Sequence, residues 1–133
     1  MEKFNFKKES EMTTILVVDD NSEYRSMLQS ILERAGYHVI VAADGDIGLR
    51  LYRENKPDLA ITDLIMPNRE GLGLIMSLKK EFPDVRIIAI SGGGKFDTGE
   101  FLEIAKDLGA VCALQKPFEH EVLLDTVKKC LPY

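Results

Sequence analysis

The chain has no tryptophan, only two cysteines, no excess of basic residues and no long apolar run. The longest apolar stretches, such as Ile15 to Val18 and Ile87 to Ile90, fall far short of the roughly 20 residues needed to cross a bilayer. No membrane span is expected. Residues 1–12 (MEKFNFKKESEM) mix Lys and Glu and lack an apolar core, so they do not read as a secretory signal. A cytoplasmic protein is therefore expected. Cys112 and Cys130 have neither CxxC spacing nor a neighbouring histidine pair, which excludes a zinc motif and points to two reduced thiols. Lys plus Arg number 17 against 22 Asp plus Glu, a net charge of −5, which argues against a general nucleic-acid binder. A small cation or a single phosphoryl group is not excluded by that balance.

What is present is ordinary globular material: 133 residues, 45% apolar and 29% charged, enough for one domain with one core. Short runs rich in β-branched residues alternate with longer amphipathic ones. Ile15 to Val18, Val39 to Val41, Leu59 to Ile61, Ile87 to Ile90 and Val111 to Leu114 show no polar alternation, as in strands covered on both faces. A stretch long enough for a crossover helix follows each. Tyr24, Met27, Leu28, Ile31, Leu32 and Ala35 fall on one helical face, with Asn21 or Ser22 to cap the start and Gly36 to end it. Leu72, Ile75, Met76 and Lys79 repeat the spacing before Phe82 and Pro83; Phe101, Ile104, Ala105 and Leu108 precede Gly109; Leu123, Leu124, Val127 and Leu131 form the last helix. Asp46 to Asn55 is the least regular, because Gly48 interrupts it. The order βαβαβαβαβα specifies a doubly wound α/β sandwich, with 1–12 as an N-terminal tail and 13–133 as the folded domain.

Ligands of open parallel sheets bind at the carboxyl ends of the strands. There the sequence places Asp19 and Asp20, Asp63, Ser91, and Lys116 followed by Pro117. Any one aspartate in such a place commonly caps a helix. Three together repel one another unless a cation sits among them, and a cluster of hard oxygen ligands suits Mg²⁺. A lysine and a hydroxyl beside it offer what phosphoryl oxygens need.

Val17-Val18-Asp19-Asp20-Asn21, Thr62-Asp63-Leu64-Ile65-Met66-Pro67, Ser91 and Lys116-Pro117-Phe118 together resemble the receiver domain of two-component response regulators, from about Thr13 to the C-terminus. The resemblance implies a flavodoxin-like (βα)5 sandwich with a parallel sheet of order 2-1-3-4-5. It implies Asp63 as the phospho-accepting nucleophile, Mg²⁺ held by Asp19, Asp20, Asp63 and the backbone carbonyl of Ile65, and a cis peptide between Lys116 and Pro117. Ser91 would donate its hydroxyl to the phosphoryl oxygens, and Lys116 would pair with the phosphoryl group and the Asp63 carboxylate. The donor would be a phosphohistidine of a sensor histidine kinase or histidine phosphotransfer protein, with slow hydrolysis resetting the switch. The implied protein is a signalling switch, an enzyme only toward itself, acting through a further protein target without direct contact with nucleic acid or membrane.

Two departures stand out. The position three before the lysine, commonly aromatic in that family, is Ala113, and Gly92 to Gly99 is unusually glycine-rich. The latter suggests a loop that orders over the site on phosphorylation, and Gly92-Gly93-Gly94-Lys95 lacks the spacing of a nucleotide-binding P-loop. The departures also leave open a phosphorylation-independent protein-binding module on the same fold. A phosphatase of another α/β family is disfavoured, since none of Asp19, Asp20 and Asp63 is followed by a second acid two residues on. His38 and His120 read as structural or surface residues, Met66 and Met76 as core, and Ser22, Glu23 and Arg25 as a rim to the site or simply an exposed helical turn.

Overall fold

A computed structural model describes residues 13–64, 70–92 and 100–132. Five strands and five helices alternate along them: β1 (Thr14–Val18), α1 (Ser22–Arg34), β2 (His38–Ala42), α2 (Gly45–Asn55), β3 (Leu59–Asp63), α3 (Glu70–Glu81), β4 (Ile87–Ser91), α4 (Glu100–Leu108), β5 (Cys112–Gln115) and α5 (His120–Cys130). All strand pairings are parallel and the order is β2-β1-β3-β4-β5. The expected doubly wound sheet is therefore present.

Alternate residues of the strands feed two cores. Leu16, Val18, Ala60, Ile87 and Ala89 pack beneath Tyr52 of α2, Leu74, Ile75 and Leu78 of α3 and Ala105 of α4. Ile15, Val17, Leu59, Ile61, Ile88 and Ile90 pack beneath Leu28, Ile31 and Leu32 of α1 and Leu123, Val127 and Cys130 of α5. A strand buried on both faces has no use for a polar alternate position, hence the unbroken apolar runs.

Local chemistry sets the helix ends. Asn21 Oδ1 accepts from Tyr24 N at 2.9 Å and Asp44 Oδ1 from Ile47 N at 2.9 Å, so each first turn is capped by its own side chain. Gly36 (φ 99°) and Gly109 (φ 123°) take left-handed conformations just beyond α1 and α4. Gly48, awkward as a helix residue, is explained by packing: a Cβ there would lie 2.9 Å from Val18 Cγ2. Its absence lets α2 approach β1 closely.

Four sequence expectations need correction. Val111, read as part of a strand covered on both faces, precedes β5 and is 45% exposed, and β5 itself is at best half-buried. Met76 is not core but 56% exposed. The buried face of α3 runs Gly71, Leu74, Ile75, Leu78, one residue out of step with the face drawn from Leu72. Glycine, carrying no hydrophobic side chain, had concealed the start of that i, i+3, i+4, i+7 series. Ile104 is likewise 41% exposed, since among the described α4 side chains it is Ala105 and, partly buried, Leu108 that pack on the core. Met27 lies at the edge of its stripe, 37% exposed. Met66 falls outside the described residues.

Candidate functional site

The carboxyl edge of the sheet carries the site beside the boundary between β1 and β3, where the chain's winding reverses. Asp19 and Asp20 follow β1, while Asp63 and Ser91 are the last residues of β3 and β4. Asp19 is 1% and Asp63 5% exposed; Ser91 is fully buried and Asp20 exposed. Carboxylate oxygens of Asp19, Asp20 and Asp63 lie within 4.8 Å of one another. Among the described residues no other cluster of three His, Cys, Asp or Glu side chains comes together in this way.

Two burdens attend so close a group, repulsion and desolvation. Lys116 relieves both, its Nζ standing 3.3 Å from Asp19 Oδ2 and 3.5 Å from Asp63 Oδ2 with only 17% of the side chain exposed. Asp19 is held further by Asn21 N, which donates to its Oδ1 at 2.9 Å, and by Arg25 Nη1, which donates to its backbone carbonyl at 2.8 Å. Of the three residues suggested for the rim, Arg25 thus braces the site from behind, while Ser22 and Glu23 are exposed. Lys116 N donates to Ser91 O at 2.9 Å, tying β5's exit to the end of β4. The Lys116–Pro117 peptide is cis, as the resemblance implies.

The structure thus brings together Asp19, Asp20, Asp63 and Lys116, with Ser91 one strand away from Lys116. Ile65 and the loop from Gly93 to Gly99 lie outside the described residues. Ala113 is half-buried and pairs in register with Ala89 on the face covered by α2, α3 and α4. His38 and His120 are exposed and join no metal cluster among the described residues.

One participant escaped the sequence reading. Tyr24, counted there with the core face of α1, sets its ring 3.9 Å from Lys116 Nζ and meets Phe118 edge-on, with ring centroids 6.2 Å apart. The lysine therefore lies between carboxylates on one side and an aromatic face on the other, a cation–π arrangement. Its signal was present only as a helix residue five positions past Asp19. Burial, then the charges of Asp19 and Asp63, push the Tyr24 phenol up to about 12 from its ordinary 10.0. Between those values the unfolded chain loses the proton and the folded one keeps it. Stability falls as pH rises through that window. A denaturant series from pH 9 to 12 is expected to show a smaller loss in Tyr24→Phe than in the wild type; equal losses would exclude this cause.

Comparison with known proteins points the same way. The family profile of the response regulator receiver domain matches residues 15–128. Sporulation initiation phosphotransferase F of Bacillus subtilis is 31% identical over 118 residues, covering 89% of this chain and 93% of that protein. The DNA-binding transcriptional regulator NtrC of Azospirillum brasilense is 36% identical over 118 residues, 89% of this chain but 24% of its own length. Some relatives are therefore spanned almost end to end and others only in part. Among solved structures, chemotaxis protein CheY4 of Vibrio cholerae superposes with a TM-score of 0.81 at 30% identity, covering 90% of this chain and 98% of its own.

Proposed function

Since this chain belongs to the response regulator receiver domain family, the phospho-accepting components of two-component signalling, we propose that Asp63 is its acceptor and that a histidine kinase or histidine phosphotransfer protein is its donor. The observation that carries this reading is the convergence of Asp19, Asp20 and Asp63 within 4.8 Å, with Lys116 reaching both buried members.

The donor set fits Mg²⁺, which prefers hard oxygens and keeps several waters. Asp19, Asp20, Asp63 and the Ile65 carbonyl would hold it, and when bound it supplies charge neutralisation for the transferring phosphoryl group. The protein's own residues do the rest. An Asp63 carboxylate oxygen attacks phosphorus in line with the departing imidazole nitrogen; the O–P bond forms as the N–P bond breaks, giving an acyl phosphate. No proton need move to activate a carboxylate. Lys116, already between Asp19 and Asp63, balances charge on the phosphoryl oxygens, and the Ser91 hydroxyl donates to one of them. Asp19, braced by Asn21 and Arg25, keeps the arrangement in place before the donor arrives, so little reorganisation is left for the reaction. Attack of water on the acyl phosphate later restores Asp63.

Intact-mass analysis tests the proposal. Incubation with acetyl phosphate and Mg²⁺ is expected to add one phosphoryl group, and chelation of the metal to suppress the adduct. No adduct at any Mg²⁺ concentration would sink the phosphorylation reading and leave the fold as a binding module alone.

A further inference from the structure

The two cysteines, read from the sequence as reduced thiols, meet in the fold. Cys112 opens β5, Cys130 closes α5, and both lie against the core beneath α1 and α5. Both are free, with their sulfurs 2.7 Å apart. The Cys130 thiol donates to the Cys112 sulfur, so the fold holds the two side chains in direct contact. We propose that Cys112 and Cys130 form a reversible intramolecular disulfide under oxidative challenge by a hydroperoxide, clamping β5 to the C-terminal helix.

Three observations support it. A metal role is disfavoured because no His, Asp or Glu joins the two sulfurs in a three-ligand cluster among the described residues. The pair is asymmetric in access: Cys130 is fully buried and Cys112 only half-buried. Burial and the neighbouring sulfur also push the Cys130 thiol up to about 12, whereas Arg86 and Lys129 pull it the other way. Cys112 is thus the sulfur that meets the oxidant and Cys130 the one that resolves it. The Cys112 thiolate attacks the peroxide, an S–O bond forming as the O–O bond breaks, and the leaving alkoxide takes a proton to become an alcohol, or water from hydrogen peroxide. The Cys130 sulfur then displaces hydroxide from the sulfenic acid, which departs as water with the Cys130 proton. Two thiols are oxidised by two electrons and one hydroperoxide is reduced. In a reducing compartment such a bond would be transient, the usual behaviour of cytosolic disulfides. The closed loop contains Lys116 and all of α5, so oxidation stiffens the segment that follows the phosphorylation edge.

The test uses the full reduced chain and hydrogen peroxide, followed by denaturation, maleimide blocking and mass analysis. Expected is a monomer two hydrogens lighter with neither cysteine blocked, a cross-linked peptide pair containing Cys112 and Cys130, and a Tm raised by about 5 to 10 °C. Reductant reverses all three. Cys112→Ser should fold and show neither the cross-link nor the shift, and the wild-type masses stand as evidence even if that variant does not fold. Two maleimide adducts, sulfinic or sulfonic products, or intermolecular dimers would overturn the proposal; an intramolecular bond with unchanged Tm would overturn the clamp.

Discussion

Asp63→Asn is expected to reduce phosphoryl uptake from acetyl phosphate to background, a loss of at least about 100-fold by intact mass. The amide matches the carboxylate in shape and leaves the 5%-exposed position filled, but its oxygen is too weak a nucleophile to form a stable acyl phosphate. The neighbours are poor substitutes. Asp19 is 1% exposed and held through Asn21 and Lys116, and Asp20 sits on the exposed side of the cluster. The fold should survive, because the substitution removes one of Lys116's two carboxylate contacts and, with it, repulsion among three like charges. Circular dichroism and thermal melting within a few degrees of wild type would confirm that the lost adduct reports chemistry. Equal labelling of wild type and variant would show that the acceptor is another residue.

The largest expected effect on stability comes from a residue with no side chain. A Cβ at Gly71 would lie 2.3 Å from the Asp63 carbonyl oxygen, 2.5 Å from Leu64 Cα and 2.6 Å from Leu64 O. All three are backbone atoms at the end of β3, and none can rotate aside. Gly71→Ala should therefore cost about 3 kcal/mol, at the upper end for overpacking. Because the strain falls on Asp63 itself, phosphoryl uptake should decline with it. Gly73 gives the control, since it is exposed on the same helix and its Cβ would meet nothing within 4 Å. Gly73→Ala should instead stabilise by about 0.5–1 kcal/mol, through helix propensity alone. Urea titrations of the two variants would separate packing from propensity; a Gly71→Ala protein as stable as wild type would mean that α3 can retreat from β3.

These contrasts mark what was legible beforehand. The central strands β1, β3 and β4 were readable because a doubly covered strand repeats one kind of residue, the edge strands β2 and β5, only partly buried, because their apolar runs persist, and the strand-end residues stood out as polar stops: Asp19, Asp63, Ser91 and Lys116. The Asp19–Asp20–Asp63 convergence followed from parallel topology. Less legible was anything requiring a side chain's direction. Leu72 and Met76 pattern as well as Leu74 and Leu78 do, and only the contact at Gly71 decides between the two faces. Tyr24 satisfies a core stripe and a cation–π contact equally well on paper. Cys112 and Cys130 share no spacing motif, since their meeting depends on how α5 returns across β5.

The constitution of the sheet edge bears on how a partner would sense modification. Three carboxylates, the Lys116 ammonium and the Arg25 guanidinium leave that edge one negative charge from neutrality. A divalent cation together with a dianionic acyl phosphate in place of one carboxylate would bring it to zero. The far field thus shifts by one elementary charge, and ions screen even that within about 8 Å at physiological salt. A partner approaching from solution would meet nearly the same potential in both states. Discrimination would arise only after touching, so affinity for the phosphorylated form should differ chiefly in dissociation rate, with association rates alike and similarly dependent on ionic strength.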